Sequence, residues 1–179
     1  ACETMITTGM TVVAGEITAN QRIDKRDIVR KKIIDIGYDA SEKGFDGHTC
    51  AILLSLDRQS PDIAQGVNEG EGTYAEQGAG DQGIMFGYAI DETENFMPLT
   101  IDMAHRLAER LTYVRKQGIL PFLRPDGKTQ VSAKYVDGKV SSIDAIVVSS
   151  QHEEGITHKE IKEGITEEVI KRVVPQELW

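Results

Sequence analysis

The feature that most restricts this chain is the pair Asp137-Gly138, set between two apolar runs, Val131–Tyr135 and Val140–Val148. A type I′ turn needs positive φ at both central residues, and Asp-Gly supplies it at low steric cost. Its twist matches that of paired strands, so the two runs are expected as an antiparallel hairpin. Thr8-Gly9 plays the same part between Glu3–Thr7 and Met10–Ile17 near the start of the chain. Between and after these pairs lie three stretches with helical periodicity. Asp24–Ile36 places Ile28, Val29, Ile33 and Ile36 on one side and stops at Gly37. Asp102–Gln117 aligns Met103, Leu107, Leu111 and Val114 before Gly118. Thr157–Val174 turns Ile161, Ile165, Val169 and Val173 inward and ends at Pro175. Cys50–Leu56 reads as a buried strand, and Ile84–Ala89 as a further strand.

Each half therefore carries strands and a helix, with hairpins in place of β-α-β alternation. This predicts an α+β chain: mixed, largely antiparallel sheets with helices on one face, loosely repeated between the halves. Between them, Asp57–Gly80 is polar and glycine-rich with almost no periodic apolar signal. Long segments of that kind are usually active-site lids or linkers. The division expected is an N-terminal domain over 1–56, a lid and linker over 57–76 and a second domain over 77–179.

Composition removes several function classes. The 179 residues carry a net charge of −9, which argues against non-specific nucleic-acid binding. A nucleotide ligand stays possible, because a local cluster of cations can hold phosphates on an acidic protein. No apolar run approaches the roughly 20 residues of a membrane span, and no secretory leader is visible at Ala1. Cys2 and Cys50 belong to no Cys/His cluster, and both are expected reduced, buried and structural in a cytoplasmic protein. His48, His105, His152 and His158 form no metal pair. The arginines and lysine at 106, 110, 115 and 116 are expected to form a solvated helix face.

The densest chemical signal runs from Glu76 to Tyr88, EQGAGDQGIMFGY. Gly78, Gly80 and Gly83 permit close backbone approach to a ligand, and Asp81 between them can accept from an amine or hold a cation. As composition, this is equally a tight loop entering a strand. As a string, GAGDQG followed by three residues and Gly-Tyr is similar to a signature of the S-adenosylmethionine synthetases (methionine adenosyltransferases). Other segments resemble the family in the family's own order. They are ACET at 1–4, GEIT at 15–18, IGY at 36–38, GFD at 44–46, QSPDIAQGV at 59–67, LRPDGKTQV at 123–131, IDA at 143–145 and SSQH at 149–152. The resemblance covers essentially the whole chain.

It implies the family's reaction: the methionine sulfur attacks C5′ of ATP, expels the triphosphate, and the triphosphate is cleaved to diphosphate and phosphate. It also implies roles residue by residue. Glu3 would ligate an activating K+. Glu16, Gln59 and Asp81 would contact methionine. Asp126, Gly127 and Lys128 would contact ATP, with Lys128 and Asp81 the catalytic pair. Gln59, Ser60, Pro61, Asp62, Ile63, Ala64, Gln65, Gly66, Val67, Asn68 and Glu69 would form the lid, whose second half, to Tyr74, departs from the family pattern. The residue types suit these tasks. Carboxylates pair with methionine's ammonium group, hard cations take oxygen ligands, and a lysine is a compact charge for phosphate oxygens. Without the resemblance, Glu16 reads as a solvated strand residue, Asp126-Gly127 as a turn and Lys128 as a surface lysine.

The resemblance further implies a homodimer or homotetramer with active sites between subunits, and a cytoplasmic location. It also implies parts that this sequence does not contain. These are a His-Pro-Asp-Lys motif ahead of Ala1, with the main Mg2+ ligand, and a third, glycine-rich domain after Trp179. The chain is thus expected to be incomplete and inactive alone. Two other readings stand beside the enzyme segment: a non-catalytic remnant that keeps the fold and the association surface, and a generic α+β nucleotide-binding module.

Overall fold

A computed structural model describes residues 2–18, 23–70, 72 and 75–178. The chain divides into two compact units, Ala1–Phe86 and Gly87–Trp179.

In the first unit, β1 (Cys2–Thr7) and β2 (Met10–Glu16) form the expected hairpin, with Gly9 at φ +76°. β5 (Ala51–Asp57) joins β2 on its other edge, so the sheet order is β1-β2-β5. This second pairing is parallel, which the sequence reading did not foresee. A parallel pair needs a crossover of a dozen residues or more. Here it passes through α1 (Lys25–Ile36) and the short antiparallel pair β3 (Asp39–Ala40) and β4 (Phe45–Asp46). Asp24 caps α1 by accepting from the Asp27 N–H at 3.1 Å, and Gly37 closes it at φ +117°. The face of α1 is narrower than predicted. Ile33 is buried, but Ile28 and Ile36 are exposed, because a three-stranded sheet covers little more than one ridge of the helix.

β5 alternates exposed and half-buried residues along its whole length, so it is not the fully buried strand predicted. Arg30 of α1 fixes the turn ahead of it, donating to the carbonyls of Gly47 (2.8 Å), His48 (3.2 Å) and Cys50 (3.1 Å). Cys50 is buried as expected, but Cys2 is exposed, because β1 is the sheet's outer strand and every residue along it is exposed. Pro61–Val67 forms a short helix, α2, inside the stretch expected to be structureless. Ile84–Ala89 is not a strand. Among the described residues no strand pairs with it, and Ile84, Met85 and Phe86 are almost fully exposed. An apolar, β-prone run becomes a strand only when a partner takes its hydrogen bonds.

The second unit is built on α3 (Leu99–Lys116) and a hairpin of 14-residue strands, β6 (Leu123–Val136) and β7 (Lys139–His152). Asp137 and Gly138 make the turn at φ +50° and +75°, as predicted. α3 begins three residues earlier than its apolar pattern suggested. Glu92 accepts from the Leu99 N–H at 2.8 Å and from the Tyr135 hydroxyl at 3.1 Å. That carboxylate satisfies one N–H of a helix N-terminus whose cap position is Pro98, a residue with no side-chain acceptor. Met103, Leu107, Leu111 and Val114 are all buried and form one core with Leu120, Leu123, Ile165, Val169 and Val174.

The last helix starts on a complete capping box between Thr157 and Glu160. It is not uniform: α4 (His158–Ile165) runs into a π turn over Thr166–Ile170 and then α5 (Lys171–Val173). The π turn's wider loop moves the buried position from Val173 to Val174, one residue beyond the i+4 series. Arg110, expected on a solvated face, serves this turn. It donates from Nε to the Glu168 carbonyl at 2.8 Å, pairs with the Glu168 carboxylate at 3.6 Å and stacks on Tyr113 at 4.9 Å.

Candidate active-site segments

The pairing of the first sheet sorts the predicted residues. Glu3 stands opposite Ala14, Ala14 beside Ser55, and Glu16 beside Asp57. Residues directly paired share a face, and residues two apart in a strand share it too. Glu3, Glu16 and Asp57 therefore lie on one face, at the end of the sheet where β5 stops. That face is the open one, since Ser55 and Asp57 are exposed whereas Ile52, Leu54 and Leu56 on the other side are half-buried. Further along the same face, Met5 and Leu53 flank Val12 and are both about half exposed. The Ile17 N–H donates to the Asp57 carbonyl at 3.0 Å, holding the strand ends together. Asp57 is the residue the sequence reading missed, since only the parallel register reveals it beside Glu16.

Gln59 follows β5 by two residues and is half-buried. The predicted lid begins there. Its helix, α2, starts with Pro61 at the first helical position, where a missing N–H costs nothing. None of its residues is buried, so little apolar contact holds it down. Of the second half of the segment, Glu71, Thr73 and Tyr74 lie outside the described residues, as does Ala1 of the first motif. Asp81 sits in irregular, exposed chain and accepts from the Gln82 N–H at 2.7 Å.

In the second unit, Asp126, Gly127 and Lys128 are not in a simple turn. They lie within β6, at a wide bulge: Arg124, Pro125 and Asp126 stand opposite Gln151 alone, between the pairs Leu123–His152 and Gly127–Ser150. Proline inside a strand is tolerated at such a site because it has no ladder bond to give. The bulge is tied by Arg124 to Glu153 at 3.5 Å and by the Ser150 hydroxyl, which donates to the Asp126 carbonyl at 3.4 Å. Just past it, residues 128–131 alternate between the two faces, ahead of further register shifts at Ser132/Ala133 and Lys134/Tyr135. Thr129 and Val131 face α3, whereas Lys128 and Gln130 are exposed on the opposite side. A hollow of about 670 Å3 lined by Glu92, Asp102, His105 and Glu109 lies beside the start of α3, and none of the predicted site residues lines it.

Burial, and then the hydrogen bond and charge of Glu92, raise the Tyr135 phenol above its ordinary value. Among the described residues, no group of three or more His, Cys, Asp or Glu side chains comes together to hold a metal. Glu3 fits a hard cation as one oxygen ligand, but a K+ there needs further oxygens from outside this set.

A chain of this kind is a two-unit α+β protein. It bears an acidic open sheet end before a short helix with no buried residue, a glycine-rich irregular segment, and a basic residue on a bulged hairpin. Its sequence gives the assignment. Residues 1–61 match the N-terminal domain of S-adenosylmethionine synthetase and residues 76–179 match its central domain, so the chain belongs to that family. A protein of Desulfosudis oleivorans named S-adenosylmethionine synthase is 57% identical over 178 residues, covering 99% of this chain and 46% of its own length. One of Syntrophobacter fumaroxidans with the same name is 56% identical over 99% of this chain and 46% of its own. One of Brachyspira hyodysenteriae, also so named, is 54% identical over 90% of this chain and 43% of its own. The chain thus spans about half the length of these relatives.

Proposed function

We propose that this chain supplies the methionine contacts, the lid and part of the nucleotide site of an enzyme that makes S-adenosylmethionine from ATP and L-methionine. The observation that carries the proposal is the match of residues 1–61 and 76–179, in order, to two domains of that family, with relatives bearing that name. In this reading, residues 1–56 form part of an N-terminal domain, 57–76 the lid and linker, and 77–179 the central domain.

The chemistry asked of these residues is modest in kind. A thioether sulfur needs no base to become a nucleophile. Rate comes from alignment of sulfur with C5′ and from neutralising charge on the departing triphosphate. Glu16 and Asp81 hold methionine's ammonium group, and Gln59 adds a neutral contact beside them. Asp126 and Gly127 meet the nucleotide at the bulge, and Lys128 places its ammonium against phosphate oxygens. Glu3 is one ligand of a K+, and the main Mg2+ ligands lie outside these residues. When bound, Mg2+ adds to the charge neutralisation on the triphosphate. Residues 59–69 close over the substrates and exclude water.

The open sheet face with Met5 and Leu53 suits association with a second copy in a homodimer or homotetramer. Among the described residues no helix is long and apolar enough to cross a membrane. Free cysteines agree with a reducing cytoplasm. A second reading keeps the fold and this association face without the chemistry. Mutation separates the two. In the complete polypeptide, Lys128→Ala should lower kcat by about 10²–10³-fold, the effect of losing one charge-stabilising donor. Unchanged kcat and KM for ATP would remove Lys128 from the site.

A further inference from the structure

Lys128 is held from behind by both of its neighbours. Gly127 leaves out a Cβ that would stand 2.7 Å from Leu111 Cδ2 on α3. Thr129, half-buried, donates its hydroxyl to the Ala104 carbonyl oxygen of α3 at 2.7 Å. Ala104 is itself buried and lies in the middle of the helix. A mid-helix carbonyl has a second lone pair beyond its helical bond, and the threonine uses it. That bond forms only when the strand lies at one depth and one register on the helix. Successive residues of a strand point to opposite faces, so fixing 127 and 129 on the helix side fixes the height and direction of Lys128 on the other.

We propose that Thr129 is a positioning residue for Lys128. Its hydrogen bond to Ala104 sets where the lysine ammonium meets the triphosphate, although Thr129 itself faces the core. The proposal rests on Lys128 being a phosphate contact. Valine at 129 fills the same volume and suits a strand, but has no hydroxyl. Serine keeps the hydroxyl and loses a methyl. The two variants therefore separate the hydrogen bond from packing.

The test measures kcat and the KM for each substrate in the complete polypeptide carrying Thr129→Val or Thr129→Ser, alone and combined with Lys128→Ala. A misplacement on the order of 1 Å can cost about a hundred-fold. Thr129→Val is expected to lower kcat between about ten- and a hundred-fold, by the same reasoning. KM for methionine should stay unchanged, and Thr129→Ser should recover most of the loss. In the Lys128→Ala background, Thr129→Val should change nothing further, because the residue it positions is gone. Unchanged kcat in Thr129→Val overturns the proposal. So does an equal loss with and without Lys128, or a Thr129→Ser enzyme no better than Thr129→Val, since each makes Thr129 merely structural. If Thr129→Val does not fold, Thr129→Ala takes its place against Thr129→Ser. If Lys128→Ala alone leaves kcat intact, the phosphate contact itself fails, and that outcome is distinct from the other three.

Discussion

Gly127→Ala should destabilise the second unit, and the structure sets the size of the effect. The added Cβ would lie 2.7 Å from Leu111 Cδ2, whereas carbon atoms in good contact sit about 3.5–4.0 Å apart. Something must move by roughly 1 Å. Leu111 cannot swing into solvent, because it is 7% exposed within the core it shares with Met103, Leu107 and Val114. Overpacking of that kind costs about 1–3 kcal/mol. Removing a glycine stiffens the unfolded chain and returns about 0.4–1 kcal/mol. The net loss is on the order of 1–2 kcal/mol, or roughly 4–15 °C in Tm for a unit of this size. Thermal and urea denaturation of Gly127→Ala would read it. Leu111→Ala supplies the control: it opens a cavity of its own, and in that background Gly127→Ala should be neutral or stabilising. A Gly127→Ala chain as stable as the parent, or equally destabilised in both backgrounds, would refute the close approach of β6 to α3.

Three further outcomes follow from the same geometry. Arg110→Met should cost about 1–3 kcal/mol in urea denaturation by orphaning the Glu168 carbonyl of the π turn, and no loss would mean that water satisfies that carbonyl. The Glu160 carboxyl, held below the ordinary glutamate value by hydrogen bonds from the Thr157 side chain and backbone, should contribute stability at neutral pH. Because its folded value is depressed, that contribution is present above the unfolded value of about 4.3 and is lost as pH falls through the folded one. NMR titration should show Glu160 returning toward ordinary behaviour in Thr157→Ala, and an unmoved titration would reject the capping box. Amides of 59–69 should exchange fast without ligand and slowly with ATP and methionine together, and slow exchange in the free protein would end the lid reading.

What could be read from sequence was whatever the chain packs against itself nearby. α3, α4 and the Asp137-Gly138 hairpin were legible because their apolar residues meet one another in one core. The parallel register of β5 was not, since nothing in Ala51–Asp57 says which edge of the hairpin it will join. That register brings Asp57 beside Glu16, so the place of this carboxylate at the sheet end is legible only once the pairing is known. Ile84–Ala89 failed in the opposite sense: its composition favours a strand, but a strand exists only with a partner. The π turn was hidden because a spacing of five between Val169 and Val174 differs from four by a single residue. Lys128 and Asp126 could be named only through resemblance. Their strand position, their bulge and the hydroxyl behind them came from the fold.

The most direct test of the central claim is product formation. The complete polypeptide, its mass established first, is given ATP and methyl-labelled methionine with Mg2+ and K+, and label is sought in S-adenosylmethionine. The account predicts labelled product, released with phosphate and diphosphate in equal amounts, with turnover lost in Lys128→Ala. ATP binding or hydrolysis that ignores methionine, with no labelled product, would contradict it.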